Sequence, residues 1–239
     1  MIIENYCSIS NNQISFTRQQ ASDFAKNIAD DFNPLHDINA KRFCVPGDLL
    51  FAIILTRSGL HQEMSFTFSG MVSNDISLNF PTELTDHTAI TDDKDKEYLS
   101  IAVTGEKSTD KQLIDSLITA YVEFSGHTFP HILVKLMAEN NVMINPARPM
   151  IMYQDMSIHL DRLDVTDIAL KLAKTTLSIE GKRGQACLSF DLISEGEVIG
   201  HGIKHMLLSG LREYCPDVIE TIVEEYNTKK LTYSQSINA

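Results

Sequence analysis

The chain has 239 residues, 43% of them apolar and 22% charged, a balance that suits a globular protein with a sizeable core. A formal net charge of −12 excludes a general nucleic-acid binder, because phosphate recognition needs a basic face. The longest apolar run, Leu49–Leu55, is far short of the roughly 18 residues of a membrane span, and Met1-Ile2-Ile3-Glu4-Asn5 lacks the basic start of a signal peptide. Cys7, Cys44, Cys187 and Cys215 show no Cys-x-x-Cys spacing and read as reduced thiols of a soluble, cytoplasmic protein.

Gln13–Thr17 alternates polar and apolar as a short strand, and Thr17 or Ser22 is placed to cap the helix that follows. Ala21, Phe24, Ala25 and Ile28 recur at helical spacing, so this helix delivers the chain to Asp31. Next comes Asp31-Phe32-Asn33-Pro34-Leu35-His36, in which Asn-Pro is a turn signal because proline pushes the preceding residue out of helical geometry. Such a turn could bring the Asp31 carboxylate and the His36 imidazole to one water, giving a general base and acid. Asp and Asn also punctuate helix ends without doing chemistry, so punctuation is the competing reading of the same residues.

A polar link, Asp37–Arg42, leads to a proline-led helix over Pro46–Thr56, apolar nearly all round and therefore buried on most sides. The free amides of Gly47 and Asp48 at its start could polarise a carbonyl oxygen, and Gly47, without a side chain, lets a ligand approach. Cys44 reads as a buried, inert thiol. Lys41, Arg42 and Arg57 flank the motif as candidate cations for ligand phosphates.

Downstream, Phe66–Phe68 and Ile76–Phe80 carry strand patterns, and Asp92–Glu97 is a charged hairpin tip. Tyr98–Thr104 and Leu113–Phe124 are read as two further strands around a turn at Gly105–Asp110, closing a first unit over residues 1–126. Phe129–Met137 echoes the Pro46 helix, with Pro130 lying 84 residues after Pro46. Asp155–Leu160 echoes Asp75–Phe80 at a shift of 80 residues. Strand patterns at 168–180, 185–194 and 198–208 then fill a second unit over 127–212, a duplication with few identities. This unit lacks the Asp…His motif, has His131 where the first has Gly47, and is expected to be structural, with a share in one pocket wall. A helix over 216–227 with a polar, mobile tail completes the chain at 213–239.

Other signals carry less. His201 and His205 sit on a strand pattern that would hold them roughly 13 Å apart, too far for one ion, and no metal site is expected. Ser58-Gly59 and Ser125-Gly126 lack the nucleophile-elbow pattern, no glycine-rich phosphate loop occurs, and Met137 and Met143 read as core filler.

The motif Asp31-x-Asn33-Pro34-Leu35-His36, with Phe24-Ala25 in the preceding helix and Val45-Pro46-Gly47-x-Leu49-Leu50 after it, resembles the MaoC-like (R)-specific enoyl-CoA hydratases. The resemblance spans roughly 13–126, its specific part lying in 21–55. It implies an α+β double hotdog, in which central helices are each wrapped by a curved antiparallel sheet. It also implies that Asp31 acts as base on a water, that His36 orients the water and returns a proton at the α-carbon, and that the Gly47 N–H holds the thioester oxygen. Asn33 shapes the turn, and Asn33, Asp48, Arg42 and Arg57 complete the expected substrate contacts. No cofactor is implied. The partner is an acyl-CoA or acyl-carrier-protein thioester, and the chain is a monomeric double hotdog or a homodimer. The sequence departs from the family in a short His36–Gly47 link, in Ile38 where an Asp is usual, and in Asp48 where a Met is usual. Two alternatives stay open: a hotdog that binds acyl thioesters or a protein without chemistry, and a thioesterase.

Overall fold

The computed structural model describes residues 3–10 and 12–237; Met1 and Ile2 of the expected start, and Asn238 and Ala239 of the expected tail, lie outside these. Short strands β1 (Ser8–Ser10) and β2 (Gln13–Ser15) lead into α1 (Arg18–Asn27), which Thr17 starts with a reciprocal capping box with Gln20. Helix α2 (Gly47–Ser58) follows, then β3 (Leu60–Phe68), β4 (Leu78–Asn79), β5 (Thr88–Thr91) and β6 (Glu97–Ser108). The chain continues with α3 (Lys111–Gly126) and the short α4 (Leu133–Glu139), followed by β7 (Val142–Met143) and β8 (Ile151–Leu160). It continues with β9 (Ala169–Glu180), β10 (Arg183–Ser194), β11 (Glu197–Ser209), β12 (Arg212–Glu213) and α5 (Pro216–Ile237).

Ten strands form one antiparallel sheet in the order β1-β2-β4-β5-β6-β3-β8-β11-β10-β9. Its six strands from the first half of the chain join the four from the second at the β3/β8 pair, with Met64 opposite Ile158 and Phe66 opposite Met156. Strand β3 follows α2 and β8 follows α3, so two helix-then-sheet units meet side by side at this seam. The two helices pack on each other and on the sheet: the Phe51 ring lies 4.7 Å from Tyr121 and 5.3 Å from Phe66, and Tyr121 lies 5.9 Å from Phe190. Every residue from Leu49 to Leu55 is buried, as its all-round apolarity requires. This is the double hotdog. A smaller apolar cluster, including Leu133, Met137, Leu188 and Ile219, packs α4 and α5 against the second half of the sheet. Among the described residues no helix is long and apolar enough to cross a membrane.

Four expectations need correction. Leu113–Phe124 is not a strand but the body of α3, the second central helix. Its β-branched and aromatic residues suggest a strand, yet Leu113, Ile114, Leu117, Ile118, Tyr121, Val122 and Ser125 are buried at helical spacing, and Asp110 caps the start by accepting from the Leu113 N–H. Phe129–Met137 is therefore not the counterpart of α2; the helix there begins only at Leu133 and runs seven residues. Strand β8 occupies the place of β3 across the seam and not that of β4, so the echo of Asp75–Phe80 in Asp155–Leu160 does not mark equivalent positions. Finally, α5 continues through the expected polar tail to Ile237, because Lys230 and Tyr233 find partners on the segment around Asp31.

Candidate active site

Helix α1 ends by handing its chain to a tightly bonded turn. The Asp31 N–H donates to Ala25 O (2.8 Å), and the Asp31 carboxylate accepts the Asn33 N–H (2.8 Å). Asn33 Oδ1 in turn accepts the Leu35 N–H (3.1 Å), and Pro34–His36 close one turn of 3₁₀ helix. These bonds bring the two expected side chains together: His36 Nε2 lies 3.6 Å from Asp31 Oδ2. His36 Nδ1 lies 2.7 Å from Cys44 O, and since a carbonyl only accepts, Nδ1 carries a proton and Nε2 is the nitrogen that faces Asp31. Burial raises the Asp31 pKa; the nearby His36 and the Asn33 N–H pull it part of the way back. Cys44, expected to be buried, is half-buried; desolvation pushes its thiol up to about 11.

Gly126, the last residue of α3, fixes where this turn sits. A Cβ there would come within 1.5 Å of Ala29 O, so only glycine lets the α1 exit lie against α3. The C-terminal helix holds the same segment from outside. Tyr226 Oη accepts the Phe32 N–H and donates to Asp30 O, each at 3.3 Å, and the Lys230 ammonium pairs with the Asp30 carboxylate.

A cavity of about 350 Å³ opens beside the pair, bounded by Asp31, His36, the start of α2 at Gly47 and Asp48, and Tyr153 and Lys204 from the second half. Gly47 is needed here for packing. A Cβ on it would meet Tyr153 Cδ1 at 2.9 Å and Phe68 Cε1 at 3.1 Å, so it is a pair of aromatic rings that exploits the missing side chain. No side chain caps α2.

Sequence reasoning missed the polar cluster behind this helix end. Ser125 Oγ donates to Asp48 Oδ2 (2.5 Å), Lys204 Nζ donates to Ser125 Oγ, and Lys204 Nζ lies 4.0 Å from Asp48 Oδ1. The ammonium also lies 4.0 Å from the centre of the Tyr153 ring, a cation–π contact, and the Tyr153 and Tyr121 hydroxyls bond each other. Asp48 is 7% exposed and Lys204 2% exposed, so the carboxylate that departs from the hydratase pattern arrives with its own counter-charge. Burial lowers the Lys204 pKa, with Asp48 and then Asp31 drawing it back up. One signal for Lys204 was available: on β11 it alternates in phase with Gly202, Met206 and Leu208, a lysine on the apolar face. The second half thus lines the site with one charged group, Lys204, as well as a wall.

The expected cations fall elsewhere. Arg57 is ten residues along α2 from Gly47, roughly 15 Å away at the opposite end of the helix. Arg42 is exposed on the link before Cys44, and neither it nor Arg57 lines the cavity. The lysine that reaches the site comes from the second half.

Solved structures similar to this chain are so at low identity. An acyl-CoA thioesterase II, TesB2, from Mycobacterium marinum is 8% identical with a TM-score of 0.41, over 90% of this chain and 100% of that one. A conserved protein of unknown function with hot dog fold from Alicyclobacillus acidocaldarius is also 8% identical, with a TM-score of 0.44, over 87% of this chain and 98% of that one. No curated protein gives a significant sequence match. One family model does match, over residues 1–217, and the chain belongs to the family it describes as "Protein of unknown function (DUF3581)".

Proposed function

We propose that the chain hydrates the double bond of an enoyl thioester, with Asp31 and His36 as the proton-transfer pair. The observation that carries this reading is the pair itself: a half-buried carboxylate and a buried imidazole 3.6 Å apart, with the imidazole's other nitrogen anchored on Cys44 O, at the edge of a cavity that also receives a helix N-terminus. Both groups are within hydrogen-bond reach of a single bridging water. In the working state Asp31 is a carboxylate and His36 an imidazolium, each balancing the other. The water accepts from His36 Nε2–H and donates to Asp31. Its oxygen bonds to the β-carbon while its proton passes to Asp31, and His36 delivers its Nε2 proton to the α-carbon. Proton return from Asp31 to His36 restores the starting state. Charge that develops on the thioester oxygen meets the amides of the α2 N-terminus and the buried Lys204 ammonium, oriented positive groups that line the cavity.

The same water, aimed at the thioester carbon, would release a thiol instead, and the same cavity without turnover would serve as an acyl-thioester carrier. A series of trans-2-enoyl-CoA substrates separates these outcomes when loss of the enoyl-thioester absorbance and appearance of free thiol are followed together. Hydration predicts absorbance loss without thiol, abolished in Asp31→Asn. Thiol release by wild type would replace the hydratase reading with hydrolysis. Neither signal across the series would leave binding as the function of the site.

A further inference from the structure

A second cavity, of about 230 Å³, lies on the far side of Asp31. It shares Asp31, Asn33, Ser125, Ile151 and Met206 with the first cavity, so the two meet at Asp31, while His36 faces the first alone. Its outer walls differ in character: Phe129, Leu133 and Ile144 come from the second half, and Ile222 and Tyr226 of α5 cover it. The polar groups Glu225 and Lys229 come from the same helix, and Lys229 is engaged with Asp37 at 3.6 Å. A linear enoyl thioester has its reacting carbons between a polar thioester end and an apolar tail. With the oxyanion groups in the first cavity and Asp31 at the junction, the tail has one direction in which to continue.

We infer that the cavity under α5 binds the alkyl chain of the acyl thioester beyond its β-carbon, with α5 as its roof. This rests on the reading of the first cavity as a thioester site and names its substrate class: straight-chain acyl thioesters longer than the four-carbon unit. Met206 and Ile151 stand on the shared border, and the unbranched methionine side chain can re-pack as a chain passes. The roof is bonded to Asp30 and Phe32, the residues on either side of Asp31, so a chain seated beneath it presses on the segment that aims the carboxylate.

The test uses S-butyl- to S-decyl-CoA thioethers, which can be neither hydrated nor hydrolysed, titrated calorimetrically into the full chain. Each added methylene that enters the cavity should tighten binding about fourfold until the cavity is full. Ile222→Trp, which fills the cavity from the roof, should flatten that series, and Ile222→Ala should move its plateau to longer chains; circular dichroism verifies that both variants are folded. Equal affinities along the wild-type series would overturn the chain cavity while leaving the thioester site standing. A rising series that Ile222→Trp flattens, in a protein that hydrates no enoyl-CoA, would keep the chain cavity and remove the hydratase reading. No binding of any thioether would overturn both.

Discussion

Replacing Lys204 with methionine keeps the length of the side chain and removes the positive charge that, among the described residues, is bonded to the Asp48–Ser125 cluster. Lys204 is 2% exposed and Asp48 7%, so the ion pair is shielded from solvent on both sides. At the observed 4.0 Å from Lys204 Nζ to Asp48 Oδ1, the Coulomb attraction is about 4 kcal/mol for an effective dielectric near 20. Breaking a buried pair by deleting one partner typically costs about 3–5 kcal/mol, because the remaining charge stays buried without compensation. Asp48 Oδ1 has no hydrogen-bond partner among the described residues, so after the loss of Lys204 the carboxylate keeps the Ser125 hydroxyl on Oδ2 and no counter-charge bonded to it. For a chain of this size the loss corresponds to a fall in Tm of roughly 6–20 °C. Asp48→Asn alone strands the ammonium, with a cost of the same order, but Lys204→Met combined with Asp48→Asn removes both charges and should recover most of the stability. The assay is urea unfolding of wild type, both single variants and the double variant, read as a double-mutant cycle. A coupling energy above about 1.5 kcal/mol is expected for groups that share one buried network. Coupling below about 0.5 kcal/mol, or a Lys204→Met variant as stable as wild type, would refute the account of Asp48 as a neutralised carboxylate.

Asp31→Asn should remove turnover yet stabilise the fold at neutral pH. Burial raises the Asp31 pKa above its ordinary 3.8, so the folded state holds this proton more tightly than the unfolded chain, and that contribution is lost as pH rises from 3.8 through the raised value. Asparagine keeps an oxygen for the Asn33 N–H, and the stability of wild type relative to Asp31→Asn should therefore fall with increasing pH; a difference that rises with pH would contradict the burial of this carboxylate. His36→Ala should lower kcat for hydration by about 10²–10⁴-fold, the usual share of a positioned acid or base, and an unchanged kcat would remove His36 from the mechanism. Gly47→Ala drives a methyl against the Tyr153 and Phe68 rings and should cost about 1–3 kcal/mol, since rings can shift. Gly126→Ala meets the backbone carbonyl of Ala29 instead and should cost more than about 4 kcal/mol or prevent folding; equal costs for the two, measured by thermal unfolding, would mean that the α1 exit is not pinned on α3.

By itself the sequence determined the parts that rest on local bonding. Thr17 and Gln20 specify the start of α1, and Asp31, Asn33 and Pro34 specify a turn whose own hydrogen bonds bring Asp31 to His36. The apolar run after Gly47 specifies a helix buried on all sides, and alternation marks β10 and β11 close to their limits. Only the tertiary structure decided the rest. Residues 113–124 contain β-branched and aromatic side chains that fit a strand as readily as a helix, and the choice follows from the need to bury one face of α3 against α2 and the sheet. Ser125 lies 77 residues after Asp48 and Lys204 another 79 after Ser125, and no local pattern links them until the two units meet. Arg57 shows the converse: close to the motif in sequence, it is carried to the far end of α2 by the helical rise. Local hydrogen bonds could thus be read directly, whereas charge compensation and the roof over the second cavity arise between segments that only the packed core brings together.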